Sequence, residues 1–96
     1  MTINEMVRRA HENAQVHGFY DNPPELGTMI ALVHSELSEA LEALRKDDDE
    51  NFAVELADTV IRIADLCGYC DIDLEATIEE KMKYNETRPY KHGKKF

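Results

Sequence analysis

Apolar residues recur at helical spacing along most of this chain, and four stretches carry helix-end signals. Thr2-Ile3-Asn4-Glu5 reads as a capping box. It opens a helix that runs to about residue 17, where Gly18 supplies the stop. Tyr20-Asp21-Asn22-Pro23-Pro24 breaks the chain into a loop. A second helix is predicted over about 28–46 and a third over about 51–67, ending near Gly68. Asp71 or Asp73 caps a fourth, which reaches about residue 85. The link Asp47-Asp48-Asp49 is short enough only for an antiparallel or steeply crossed neighbour. It lacks the alternating acids, Gly and Glu of an EF-hand loop. Pro89 and Gly93 mark the tail as irregular. No stretch reads as a strand. The expected fold is therefore all-α, with four helices in one domain over residues 1–96 and a basic tail over 87–96.

The faces of the two central helices are unequal. With about 100° per residue, Ile30, Val33, Leu37, Leu41 and Leu44 form the main apolar stripe of the second helix, the expected core face. Met29, Leu32 and Ala43 form a weaker stripe that also contains Glu36 and Glu39. On the third helix, apolar residues from Phe52 through Cys67 cover most of the circumference, which predicts a largely enclosed helix. Its one polar strip is Glu55, Asp58, Arg62 and Asp65.

The 96 residues make a core large enough to fold alone only marginally, so self-association is expected. Twenty acids against eleven bases give a net charge of −9. Residues 1–80 carry 19 acids and five bases, whereas residues 81–96 carry one acid and six bases. Such an acidic body disfavours nucleic acid as a partner. It tolerates a phosphate ligand when divalent cations lie between the two. No apolar run is long enough to span a bilayer and the opening residues do not read as a signal peptide, so a cytoplasmic protein without a membrane partner is expected. Cys67 and Cys70 form one C-x-x-C with neither further zinc ligands nor a βαβ setting. They read as half-buried thiols near a helix end. His11, His17, His34 and His92 have no ligand spacing and read as surface or half-buried side chains.

Chemistry concentrates in two acidic pairs, Glu36-x-x-Glu39 and Glu55-x-x-Asp58. Residues i and i+3 share a helix face, so two such pairs on adjacent helices can gather four carboxylates around one small volume. Like charges so placed repel unless hard divalent cations relieve them. The competing reading pairs the acids with Arg62 and nearby bases, or leaves them in solvent. Beyond them, Lys81 and Asn85 share a face of the fourth helix, with Arg88 just past its end. These residue types bind phosphate, but they also suit the C-terminal end of a helix dipole.

Glu36-x-x-Glu39, fifteen residues and then Glu55-x-x-Asp58 resembles the signature of the MazG-like, all-α nucleoside triphosphate pyrophosphohydrolases. The flanking Ser35-Glu-Leu-Ser-Glu-Ala-Leu-Glu-Ala43 and the tail Lys81…Tyr84-Asn85…Arg88-Pro-Tyr-Lys-His-Gly extend the likeness over about residues 28–93. The resemblance implies a four-helix-bundle core completed by dimerisation, in dimers or tetramers. It implies hydrolysis of a nucleoside triphosphate substrate to the monophosphate and pyrophosphate. Glu36, Glu39, Glu55 and Asp58 would be the catalytic residues and would hold Mg²⁺ or Mn²⁺. Lys81, Asn85 and Arg88 would contact the triphosphate, across a subunit boundary if need be. The sequence departs from several relatives at Ser35 and Val54, where they carry a further acid, and at Asn85, where some carry a base. Two alternatives stay open. One is a related all-α pyrophosphatase acting on dUTP or phosphoribosyl-ATP. The other is a non-catalytic, oligomeric helical binding module. Base recognition is expected from the first helix and the loop from Phe19 to Leu26, with at least one of Phe19 and Tyr20 plugging the core.

Overall fold

The computed structural model describes residues 1–96 and contains four α-helices and no strand. They are α1 (Ile3–Val16), α2 (Leu26–Arg45), α3 (Asp49–Tyr69) and α4 (Leu74–Glu86), followed by a short 3₁₀ turn at Tyr90–Gly93. The caps explain the boundaries. Thr2 Oγ1 accepts from Glu5 N at 3.0 Å, and Gly18 follows α1 with φ +84°. Asp48 accepts from Asn51 N, starting α3 two residues earlier than expected. Of the two candidate caps for α4, Asp73 is the one used, through Ala76 N at 3.1 Å. The α1 and α4 starts also tie each other. Glu75 Oε1 accepts from Ile3 N at 3.0 Å and Asn4 Nδ2 donates to Asp73 at 2.9 Å. That donor, with the Ala76 amide behind it, holds the Asp73 carboxyl below the usual range.

α3 is the middle element, packed on α2 along one side and on α1 along another, while α4 leans on α1. Glu39 faces Glu55 and Glu36 faces Arg62. Residues equidistant from the turn therefore meet, as an antiparallel α2–α3 hairpin requires. α3 ends at Tyr69, one residue past Gly68, near where its stop was expected. Gly68 lies in that last turn where α1 approaches closely: a Cβ on it would lie 2.5 Å from His11 Cβ. The small core beside it is Val7, Ala64 and Cys67, with Met6, Ala10 and Leu74 against it.

The expected core faces are corrected. Ile30, Leu37, Leu41 and Leu44 are 44–52% exposed, and the buried residues of α2 are Met29, Ala40 and Ala43. α2 thus packs on α3 through the weaker stripe that contains Glu36. Nor is α3 enclosed. Leu56, Val60 and Ile63 are exposed, while the polar strip Glu55, Asp58 and Asp65 is half-buried. On each helix the exposed apolar stripe lies roughly a quarter-turn from the packed face. In an antiparallel pair these rotations open on the same side, so both stripes share one face of the hairpin. The shape is correspondingly open. The radius of gyration is 15.7 Å, against the about 12–13 Å of a compact chain of this length. No helix is long and apolar enough to cross a membrane.

Gly68→Ala gains helix propensity of about 1 kcal/mol but forces α1 and α3 apart at a cost of about 1–3 kcal/mol. A net loss of stability is expected in urea or thermal melts, and His11→Ala, which keeps the clashing Cβ, should leave most of that loss in place.

Candidate functional site

The α2–α3 hairpin sets the acidic residues. Glu36 and Glu39 are one turn apart on α2, and Glu55 and Asp58 one turn apart on α3. One carboxylate oxygen each from Glu36, Glu39 and Glu55 lies within 4.8 Å of the others. Asp58 is not in that triad; it stands half-buried one turn along, on the wall of an adjacent cavity. Arg62 Nε donates to Glu36 Oε1 at 2.8 Å, so one acid of the cluster has a basic partner, as the competing reading required. The Glu36 side chain is only 12% exposed, which strengthens that pair.

The electrostatics divide the triad. The Arg62 hydrogen bond, ahead of desolvation, holds the Glu36 carboxyl below its ordinary value. Glu55 is pushed up to about 7, first by hydrogen bonds it makes as an acid to Glu36 and Glu39, then by loss of solvent. Its Oε2 is buried without any hydrogen-bond partner. A buried acceptor without a partner is costly. A second carboxyl proton or a cation would answer it, and carboxylate oxygens are the hard donors that Mg²⁺ and Mn²⁺ take.

Beside the triad lies a cavity of about 400 Å³ between α1, α2 and α3. Glu36, Asp58 and Arg62 form its charged end. Phe19, Tyr20 and Pro24, from the segment joining α1 to α2, close another side, and Asn13 supplies an amide from α1. Tyr20 is the half-buried member of the aromatic pair, stacked on Tyr69 at 4.8 Å; Phe19 is 70% exposed. Tyr20 OH donates to Asp65 at 2.8 Å and His11 Nδ1 donates to the same oxygen at 3.0 Å. Sequence reasoning missed this cluster. Asp65 was visible in the polar strip, but nothing local links it to His11, 54 residues away.

Lys81, Asn85 and Arg88 lie along and just beyond α4, and none of them lines this cavity. Lys81 Nζ sits 4.6 Å and Arg88 Cζ 5.5 Å from the Tyr84 ring centre, so the two cations flank one aromatic. Asn85 Oδ1 is buried without a partner. Within one chain, then, the acids converge and the candidate phosphate contacts stand apart from them. Cys67 is buried and Cys70 half-buried, both as free thiols.

A scan of family models finds no match to this chain, and searches of curated proteins and of solved structures find none either.

Because Glu55 titrates upward in the folded chain, it binds more proton there than when unfolded. Its contribution to stability is present below its unfolded value and is lost as pH rises through about 7. The melting temperature of metal-free protein should therefore fall between about pH 5 and about pH 8. Glu55→Gln should flatten that slope, and millimolar Mg²⁺ should reverse it. Identical profiles for wild type and Glu55→Gln would remove Glu55 as the titrating group.

Proposed function

We propose that this chain is a divalent-metal-dependent nucleoside triphosphate pyrophosphohydrolase of the MazG-like kind. The observation that carries the reading is the convergence of Glu36, Glu39 and Glu55, one oxygen of which is buried and unpartnered, at the edge of a nucleoside-sized cavity. Together with Asp58, these residues fit one or more hard cations. Such ions, when bound, screen the triphosphate and lower the pKa of a water.

The chain's own residues take the following parts. Arg62 fixes Glu36 and neutralises one charge of the cluster. Glu39, exposed and without a basic partner, accepts the proton of the attacking water. The water oxygen bonds to the α-phosphorus, and the bond from that phosphorus to the α–β bridging oxygen breaks. Pyrophosphate departs, leaving the nucleoside monophosphate. The apolar part of the cavity, with Asn13, receives the nucleoside. Lys81, Asn85 and Arg88 meet the outgoing phosphates across a subunit boundary. A second copy covers the exposed stripe of Ile30, Leu37, Leu41 and Leu44, and two hairpins then form the four-helix core. The stripe's exposure in a single chain supports that association.

The test is release of pyrophosphate against orthophosphate from a panel of NTPs, dNTPs and phosphoribosyl-ATP, with Mg²⁺ and with EDTA. Metal-dependent pyrophosphate release is expected, and the ranking separates dUTP and phosphoribosyl-ATP specialists from broader enzymes. A folded, oligomeric sample that turns over none of them would make this a binding module. Glu39→Gln should lower turnover by at least about a hundredfold with an unchanged melting curve, as expected for loss of a general base. Leu41→Glu should shift sedimentation toward the monomer; an unchanged sedimentation coefficient would rule out this face as the interface.

A further inference from the structure

Asp65 is the one acid of the α3 polar strip whose surroundings do not fit a metal. Its Oδ1 already accepts two hydrogen bonds, from Tyr20 OH at 2.8 Å and His11 Nδ1 at 3.0 Å. It lies outside the cluster of converging oxygens. Its side chain is 21% exposed, and it lines the cavity beside Tyr20. Those two bonds draw together α1, α3 and the segment between α1 and α2.

The segment has little else to hold it. Residues 22–25, which include Pro23 and Pro24, donate no backbone hydrogen bond. Tyr20, by contrast, is fixed on three sides. One ring face stacks on Tyr69 at 4.8 Å, His11 meets the ring edge-on at 4.7 Å, and the hydroxyl is tied to Asp65. Burial, with the Asp65 bond behind it, raises the phenol's pKa, so Tyr20 remains a donor across the physiological range. His11 reaches Asp65 because Gly68 admits α1 so close to α3. Phe19, the preceding residue, also lines the cavity but has none of these anchors.

We propose that Asp65 is a positioning residue. By accepting from Tyr20 and His11 together it pins Tyr20 as a fixed wall of the cavity, and so sets the affinity for the nucleoside part of the substrate while touching neither metal nor phosphate. This rests on the pyrophosphohydrolase reading above. In it, the acids of α3 have separate roles, with Glu55 and Asp58 serving the cation and Asp65 serving the wall.

The test compares wild type with Tyr20→Phe, Asp65→Asn and Asp65→Ala in the full chain. It reads KM and kcat on the best nucleotide of the panel, and Mn²⁺ affinity by electron paramagnetic resonance. Tyr20→Phe and Asp65→Ala should raise KM by about fivefold or more, the scale of one lost hydrogen bond to a charged group. Turnover should stay within about twofold and Mn²⁺ affinity should not change, since neither residue touches the reacting atoms. Asp65→Asn keeps an acceptor for Tyr20 and should recover most of the KM. Mn²⁺ affinity that falls in Asp65→Asn as it does in Glu36→Gln would overturn the proposal by making Asp65 a ligand. An unchanged KM in Tyr20→Phe would overturn it by showing that the wall stands without this bond. If Asp65→Ala fails to fold, the other two variants decide. If wild type turns over no nucleotide, the enzyme reading falls on its own. Amide exchange across residues 17–25 then judges the wall: faster exchange in Tyr20→Phe supports the pin, and equal exchange refutes it.

Discussion

α3 turns its charged side toward α2 and packs on α1 through Ala64, Cys67 and Gly68, with Asp65 at the edge of that contact, and the rest of the molecule follows from that orientation. Glu55 and Arg62 face α2, and Asp65 faces α1 and the segment that leads into α2. A helix that turns its polar strip inward must turn apolar residues outward. Leu56, Val60 and Ile63 are accordingly exposed, as are Ile30 and Leu41 on α2. Only seven of 96 residues are buried, too few to stabilise a lone chain of this length comfortably. The open shape of the monomer and its apolar face are therefore two aspects of one choice of orientation.

The inward acids are only partly compensated. One arginine answers Glu36, but no base answers Glu39, and one buried oxygen of Glu55 has no partner. The result is a cluster in which one carboxyl is held ionised and a neighbour is pushed toward protonation. Like charges at short range in reduced solvent are expensive to maintain. A species that brings positive charge to that place would relieve the repulsion. This electrostatic tension is the physical basis for reading the hairpin as a cation site, and it sits on two helices whose turn fixes their register.

Asp65 shows the opposite use of a carboxylate. Its charge is answered by donors from two other parts of the chain, so it ties the structure together where the triad is left under strain. Gly68 belongs to the same arrangement. Without the close helix approach it permits, His11 would not reach α3, and Tyr20 would lose the ring that meets it edge-on.

Local chemistry made much of the chain legible. Thr2, Gly18 and Asp73 mark helix ends through bonds and backbone angles that span a few residues, and each acts where the pattern expects it. The pairing of Glu36 with Glu39, and of Glu55 with Asp58, follows from helical spacing alone. The short link at Asp47–Asp49 was enough to make α2 and α3 neighbours. What the pattern misjudged was which face packs. A stripe such as Ile30, Leu37, Leu41 and Leu44 announces that it is to be buried, but not whether the covering surface comes from its own chain. Gly68 marked the end of α3 to within one residue, but its second use, a close approach to His11, depends on a helix more than fifty residues away. The convergence of three of the four acids, the separation of Lys81, Asn85 and Arg88 from them, and the clamp on Tyr20 were decided by tertiary packing. Each depends on the rotation of one helix about its axis against another, and that angle is set by contacts far apart in sequence.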